Sequence, residues 1–421
     1  MLTRTQFEGV LMAASEVPTT AAGADAPDVY SDSGGDVEND KEAIAALLEA
    51  AARLQQNPSL SSGGPEGSYT YEDPILAVAA LWARKASEYD QNIVDAGVRG
   101  EDLRNTSLWS WMVTGVRAWL SRGDSAFVTL GGKTPTGPVS IDKGTVRIAV
   151  LGDAGYRGVA QDRVLRMIQE RHGRNRFDAV VHLGDTYFAG SEEEMLKHFL
   201  VPFSPLKNDR VQVLTLCGNH DLYYGAAGYN AALSILGQPG RYFLIETPNW
   251  RVACLDTSLG AERILRGDAI LDEGQLEWLN RVITAGDKRP LILMSHHYII
   301  SGWETPPESL RTQLRDIVKD KVFAWYWGHE HCCATYEKGS HGFYGACVGN
   351  GVFLEKWSKP EDPSKPTLSW YAKGSCECYD TGRKHYWPHG FLELQLEPGR
   401  LVENYHLENN ESYSRTLSTN S

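Results

Sequence analysis

Five short apolar runs in this chain end in residues that bind metals, and no other feature limits its folding as much. The most informative is Val211 to Leu216, which closes into Cys-Gly-Asn-His-Asp-Leu over 217–222. A β-branched and leucine-rich run ending in glycine and three polar groups reads as a buried strand that delivers its last residues to a sheet edge. Asn219, His220 and Asp221 are therefore candidates: an amide oxygen can ligate a cation, an imidazole can carry a proton, and a following carboxylate can orient that imidazole. Val146–Leu151 ends likewise in Gly152-Asp153, and Phe177–Leu183 in Gly184-Asp185. Downstream, Pro290–Ser295 ends in His296-His297, and Val322–Trp327 in Gly328-His329-Glu330-His331. One Gly-Asp pair is a common turn. Gathered at one sheet edge, the whole set supplies enough oxygen and nitrogen donors for two metal ions.

The order of these motifs resembles that of the calcineurin-like metallophosphoesterases: GD, GD, GNH(D/E), a GH-like motif and GHxH. The resemblance spans residues 145–410. It implies an α/β (α+β) fold of four layers, two packed mixed β-sheets flanked by helices, and metal-dependent hydrolysis of a phosphomonoester or small phosphodiester. Carried over residue by residue, Asp185 bridges two metals, Asp153 and His331 complete one site, and Asn219, His296 and His329 complete the other. The ions implied are divalent or mixed-valence Mn, Fe or Zn. A metal-bridged hydroxide then attacks phosphorus while His220, paired with Asp221, protonates the leaving oxygen. His296 is preferred to His297 as the ligand because the family's motif ends the strand at that register; His297 is left behind it or on the substrate side. Thr-Tyr-Phe-Ala after Asp185 disfavours the Ser/Thr protein phosphatase branch and leaves branches resembling purple acid phosphatases or bacterial phosphodiesterases.

The chain departs from many relatives at Asp153-Ala154-Gly155, where they carry Asp-x-His and the histidine is a ligand. Purple acid phosphatases also have glycine there and use the tyrosine of GDxxY. Here the tyrosine of Gly184-Asp-Thr-Tyr187 arrives one residue early, so Tyr187 stands either as a ligand of the Asp153 metal or as pocket wall. Cys376, Cys378, His385 and His389 form a possible additional zinc set, although CxC is not the usual knuckle spacing.

The remainder of the chain is read from composition and periodicity. Residues 15–40 are rich in Ala, Pro, Gly, Ser and Asp, and 1–40 reads as a flexible acidic leader. Apolar residues then recur at helical spacing in three segments, which makes 41–125 a small helical domain preceding the four-layer fold. Residues 126–144 read as a linker, 145–410 as the metallophosphoesterase domain and 411–421 as a tail. The sequence names no protein partner for the helical domain. A net charge of -13, with 11 Lys+Arg against 20 Asp+Glu in residues 1–145, argues against a nucleic-acid partner and for a small phosphoester. No run has the roughly 18 apolar residues of a membrane span, and no basic start precedes an apolar stretch, so no membrane role and a cytoplasmic location are expected. The 7 cysteines are odd in number and scattered, as reduced core thiols would be. The competing reading is a binding scaffold that keeps the fold without the chemistry. Such relatives usually lose ligands or the proton donor, and His220 and Asp185 are both present here.

Overall fold

The computed structural model describes residues 135–155, 159–186, 190, 192–222, 226–259, 269–352, 357–360, 368–374 and 386–419. The leader, the helical domain and residues 126–134 of the linker fall outside these residues. The linker's last part contributes a short strand, β1 (Val139–Ser140).

The first half of the domain alternates strand and helix. β2 (Val146–Leu151), β3 (Ala179–His182) and β4 (Gln212–Thr215) lie parallel, with Leu151 beside His182 and His182 beside Thr215. Helix α1 (Val159–Arg174) connects the first two strands. Between β3 and β4, α2 (Glu192–Glu194) runs through a π-type turn (Met195–Leu200) into α3 (Val201–Asn208). Two strand–helix–strand crossovers between parallel neighbours therefore bring the carboxyl ends of all three strands to one edge.

After α4 (Ala227–Leu236) come β5 (Phe243–Glu246) and β6 (Arg251–Cys254). Helix α5 (Glu273–Thr284) follows, with the Asp272 carboxylate accepting from the Gln275 N–H as N-cap. Next are β7 (Leu291–Ser295), α6 (Glu308–Val318) and β8 (Ala324–Trp327). The last third is β9 (Cys333–Tyr336), β10 (Tyr344–Val348), β11 (Leu368–Tyr371), β12 (Gly390–Glu397), β13 (Arg400–Leu407) and β14 (Ser412–Ser418). The strands form an eight-stranded sheet, β1-β5-β6-β7-β8-β10-β9-β11, and a six-stranded sheet, β14-β13-β12-β2-β3-β4, each mixing parallel and antiparallel pairs.

Period-two alternation decides which way each strand faces. Val146, Ile148 and Val150 of β2 join Leu392, Leu394 and Leu396 of β12, together with Val252, Ile292 and Trp325 of the other sheet, in one large core. Ala149, Leu151, Val180 and Val213 point the opposite way, onto Val164, Leu165 and Ile168 of α1 and Phe203 of α3. On the far side, Leu279 of α5 and Leu310, Leu314 and Val318 of α6 are buried. The four-layer arrangement of two mixed sheets flanked by helices is thus present. Residues 412–418, expected as tail, instead pair with β13 along their whole length and bury Leu417. Serines and a threonine occupy the outward positions there, which masks the strand in the sequence. Among the described residues no helix is long and apolar enough to cross a membrane. The described cysteines, Cys217, Cys254, Cys332, Cys333 and Cys347, are buried free thiols.

Glu393 in β12 ties three elements together. Its carboxylate accepts from Arg147 of β2 at 2.5 Å, from Arg171 of α1 at 2.8 Å and from His406 of β13 at 3.1 Å. Burial by itself would raise its pKa, but the hydrogen bonds from His406, Arg147 and Arg171 prevail and hold it well below the usual carboxylate range. A depressed folded pKa contributes stability above the unfolded value, about 4.3, that is lost as pH falls through it. Glu393→Gln is expected to lower stability in urea by about 3 kcal/mol at pH 7, because it strands two arginines. The deficit should shrink between pH 4.5 and pH 3; a deficit independent of pH would show that the carboxylate charge is not what holds these elements.

Candidate metal centre

The five motifs meet where the two sheets come closest. Asp153 follows β2 and Asp185 follows β3, at 0% and 1% exposure, and both carry positive φ, 58° and 60°. His329 and His331, after β8, share that left-handed conformation at 68° and 52°. Such backbone is uncommon outside glycine and costs about 1–3 kcal/mol per residue. Here it turns each side chain sharply off its strand into the gap between the sheets. The approach of backbone to ligand is equally tight: a Cβ at Gly218 would lie 2.0 Å from Asp185 Oδ1.

Two groups of donors result. In one, His331 Nε2 is 3.3 Å from Asp153 Oδ1, while Asp153 Oδ2 accepts from the His329 N–H at 2.9 Å. In the other, His296 Nε2 lies 3.0 Å from Asn219 Oδ1, 3.1 Å from His329 Nδ1 and 3.3 Å from Asp185 Oδ2. The two groups adjoin, since the ligand atoms of Asp153, Asp185 and His296 all lie within 4.8 Å of one another. His296 Nδ1 is 3.0 Å from the Leu183 carbonyl, which can only accept, so Nδ1 bears a proton and in the neutral ring Nε2 presents a lone pair. That lone pair faces an amide oxygen, a carboxylate oxygen and a second imidazole nitrogen. Acceptors gathered this closely repel one another unless a proton or cation lies among them, so the donor set fits a metal ion.

The electrostatics agree. Burial would raise the Asp185 pKa, yet His296 and His220 hold it well below the ordinary range, and Asp185 in turn lifts His296 to about 9 against the cost of burial. Burial, followed by the charge of His296, pushes His329 down to about 3. His297 is driven well below the usual imidazole value by burial and by its neighbours His329 and His296.

Asp221 is placed differently from the sequence expectation. Its Oδ2 accepts from the N–H groups of Asp185 at 2.9 Å and Gly218 at 2.8 Å, and its Oδ1 from the Thr186 N–H at 2.8 Å and from the Thr186 hydroxyl. The carboxylate thus fastens the turn that holds Asp185. The acid beside the His220 ring is Asp185 itself, with Nε2 to Oδ2 3.9 Å, and Asp185 Oδ1 also accepts from the His220 N–H. A 3₁₀ turn over His220–Leu222 aims the two neighbouring side chains apart.

Gly155 stands where many relatives carry a ligating histidine. A Cβ there would lie 2.0 Å from the Thr186 carbonyl oxygen, so this backbone excludes any side chain at that place. Tyr187, Cys376, Cys378 and His385 lie outside the described residues; His389 is buried with Nδ1 3.0 Å from Glu408 Oε1. Sequence reasoning passed over Thr257 and Glu330. The Thr257 hydroxyl meets His297, and the Glu330 carboxylate accepts from Ser301 and from the Trp327 indole. Thr257 was findable, because β6 also ends in polar residues, Asp256-Thr257-Ser258.

A family profile described as calcineurin-like phosphoesterase matches residues 146–333, a stretch containing all five motifs from Asp153 to His331. Over this stretch the chain is similar to the calcineurin-like phosphoesterases. A search of curated proteins gives no match. Similar solved structures include GAP50, the anchor in the inner membrane complex of Plasmodium, at 17% identity over 66% of this chain and 89% of that one, with a TM-score of 0.48. A dimetal phosphatase from Danio rerio has 17% identity over 65% and 99% of the two chains, with a TM-score of 0.43. PhoD has 10% identity over 68% and 72%, with a TM-score of 0.45. These likenesses concern the fold and nothing finer.

Within this site, Asp221→Asn separates its two possible roles. A fastener of the Asp185 turn loses acceptors for buried N–H groups, which should cost about 1–3 kcal/mol of stability and weaken metal retention. Unchanged melting and metal content, with turnover alone reduced, would restore the carboxylate to the role of orienting His220.

Proposed function

We propose that the domain hydrolyses small phosphoesters, either monoesters or small diesters, with two metal ions held by the side chains described above. The observation that carries this reading is the position of Asp185, a buried carboxylate within ligand distance of both Asp153 and His296. Asp153 and His331 would hold one ion, and Asn219, His296 and His329 the other, with Asp185 shared. The imidazole and amide content suits Mn, Fe or Zn. Two such ions supply Lewis acidity that neutralises phosphoryl oxygens and lowers the pKa of a water.

The chain's own residues do the rest. His220 is outside both ligand groups, and its side chain keeps 17% of its surface exposed, so it can meet the ester from the open side. Its Nε2 is the proton donor to the leaving oxygen. Burial of His296 and both aspartates keeps the field around the phosphoryl group strong. The net charge of -13 supports a small ester rather than a polynucleotide, whose binding would need a basic surface.

Metal analysis of the purified full chain, followed by assay with added Mn on aryl phosphates and bis-aryl phosphates, tests the reading. Retained metal with no hydrolysis of either class would make the chain a binding scaffold. Asp185→Asn is expected to empty both metal sites; metal content near wild type with activity retained would sink the bridging role. His220→Ala should keep its metals and slow esters with poor leaving groups by roughly 10²–10⁴, while esters with good leaving groups are spared. Equal slowing of both would assign His220 some other task.

A further inference from the structure

His297 stands outside the two ligand groups assigned above, although its ring is fully buried against them and near enough to His296 and His329 to share an ion with them. Its centroid lies 4.8 Å from that of His296 and 4.6 Å from that of His329, and ligand atoms of the three rings fall within 4.8 Å of one another. Its Nε2 is buried and meets no hydrogen-bond partner among the described residues. A buried polar nitrogen left unpaired costs about 1–3 kcal/mol, and such a cost inside a candidate active site calls for a partner that comes with the ligand.

Thr257 decides what that nitrogen offers. Its hydroxyl oxygen accepts from the backbone N–H of His297 at 3.1 Å and lies 2.9 Å from His297 Nδ1. Among the described residues the hydroxyl has no other partner, so its proton is satisfied only by donation to Nδ1. Nδ1 is then an acceptor, and Nε2 carries the ring's proton. A protonated nitrogen cannot ligate a metal. It can donate.

We propose that His297 Nε2–H is a substrate-binding hydrogen-bond donor, fixed by Thr257, that donates to a phosphoryl oxygen of the bound ester. The inference rests on the phosphoester reading of the site. It adds a neutral donor beside the acceptor-rich metal groups. The pocket thereby favours a ligand that offers an acceptor over a cation, which cannot satisfy Nε2.

Three variants and one probe test this. Inorganic phosphate is titrated by calorimetry into the metal-loaded full chain, its His297→Phe and His297→Gln forms, and Thr257→Val, with metal content measured for each. His297→Phe keeps the ring's bulk without the donor and should weaken phosphate about ten- to a hundredfold with both metals retained. His297→Gln, whose amide nitrogen can reach the same place, should recover part of that loss. Thr257→Val leaves the ring in place but releases its tautomer, and should weaken phosphate by a smaller factor; it carries the test if His297→Phe does not fold. Nitrogen-15 correlation spectra of the metal-free chain should show the His297 proton on Nε2. Loss of a metal ion in His297→Phe, unchanged phosphate affinity, a proton on Nδ1, or a metal-loaded wild type that does not bind phosphate would each overturn the proposal. A wild type that binds phosphate through His297 but hydrolyses no ester would remove the functional reading and leave this one standing.

Discussion

Two buried aspartates at the ends of neighbouring parallel strands set the terms for the rest of this structure. Removing a carboxylate from water is expensive unless positive charge or several donors meet it. Around Asp185 the compensation comes from the His220 backbone N–H and from the imidazoles of His220, His296 and His329. The strained turns make sense in that light. Of the non-glycine residues described with positive φ, Asp153, Asp185, His329 and His331 are all candidate ligands. Strain concentrated on them reflects a backbone bent to deliver charge to one point.

That point also joins the two sheets. The His329 N–H donates to Asp153 Oδ2, the Gly152 N–H to the Val348 carbonyl, and His296 Nδ1 to the Leu183 carbonyl. Each bond links a strand end of the six-stranded sheet to one of the eight-stranded sheet. Core packing through Trp325, Ile292 and their partners holds the sheets together over their area, but their relative position at the site is set by polar groups that are themselves candidate ligands. Metal retention and local sheet geometry are therefore coupled, and a substitution in the site is felt as stability as well as chemistry.

Much of this was legible in the sequence, because a buried parallel strand is a near-continuous apolar run and the residue where it stops is unmistakable. Asp153, Asp185, Asn219, His296, His329 and His331 were found that way and converge in space. What failed was whatever depends on a side chain's direction. Adjacency of His220 and Asp221 read as a pair, whereas the 3₁₀ turn sends the carboxylate back under Asp185. The strand β14 was hidden by its serines and threonines, which suit an exposed edge and also suit a tail. Thr257 and His297, forty positions apart, touch only because β6 and β7 are parallel neighbours, a pairing that no local pattern announces.

The same electrostatics constrain the order of events at the site. With Asp153 and Asp185 buried in a chain of net charge -13, a phosphoester anion approaching the bare protein meets like charge in a region of low dielectric. A neutral donor such as the His297 ring cannot offset two carboxylates, since a hydrogen bond is weaker than an unscreened charge at similar distance. Cations bound first reverse the sign of the local field and make the donors useful. Affinity for the ester and affinity for the metals are then reciprocal by linkage, each raising the other. A site built almost wholly of acceptors is thus selective for anions only as a complex, and the protein's part is to hold the acceptors close enough that the cations are worth binding.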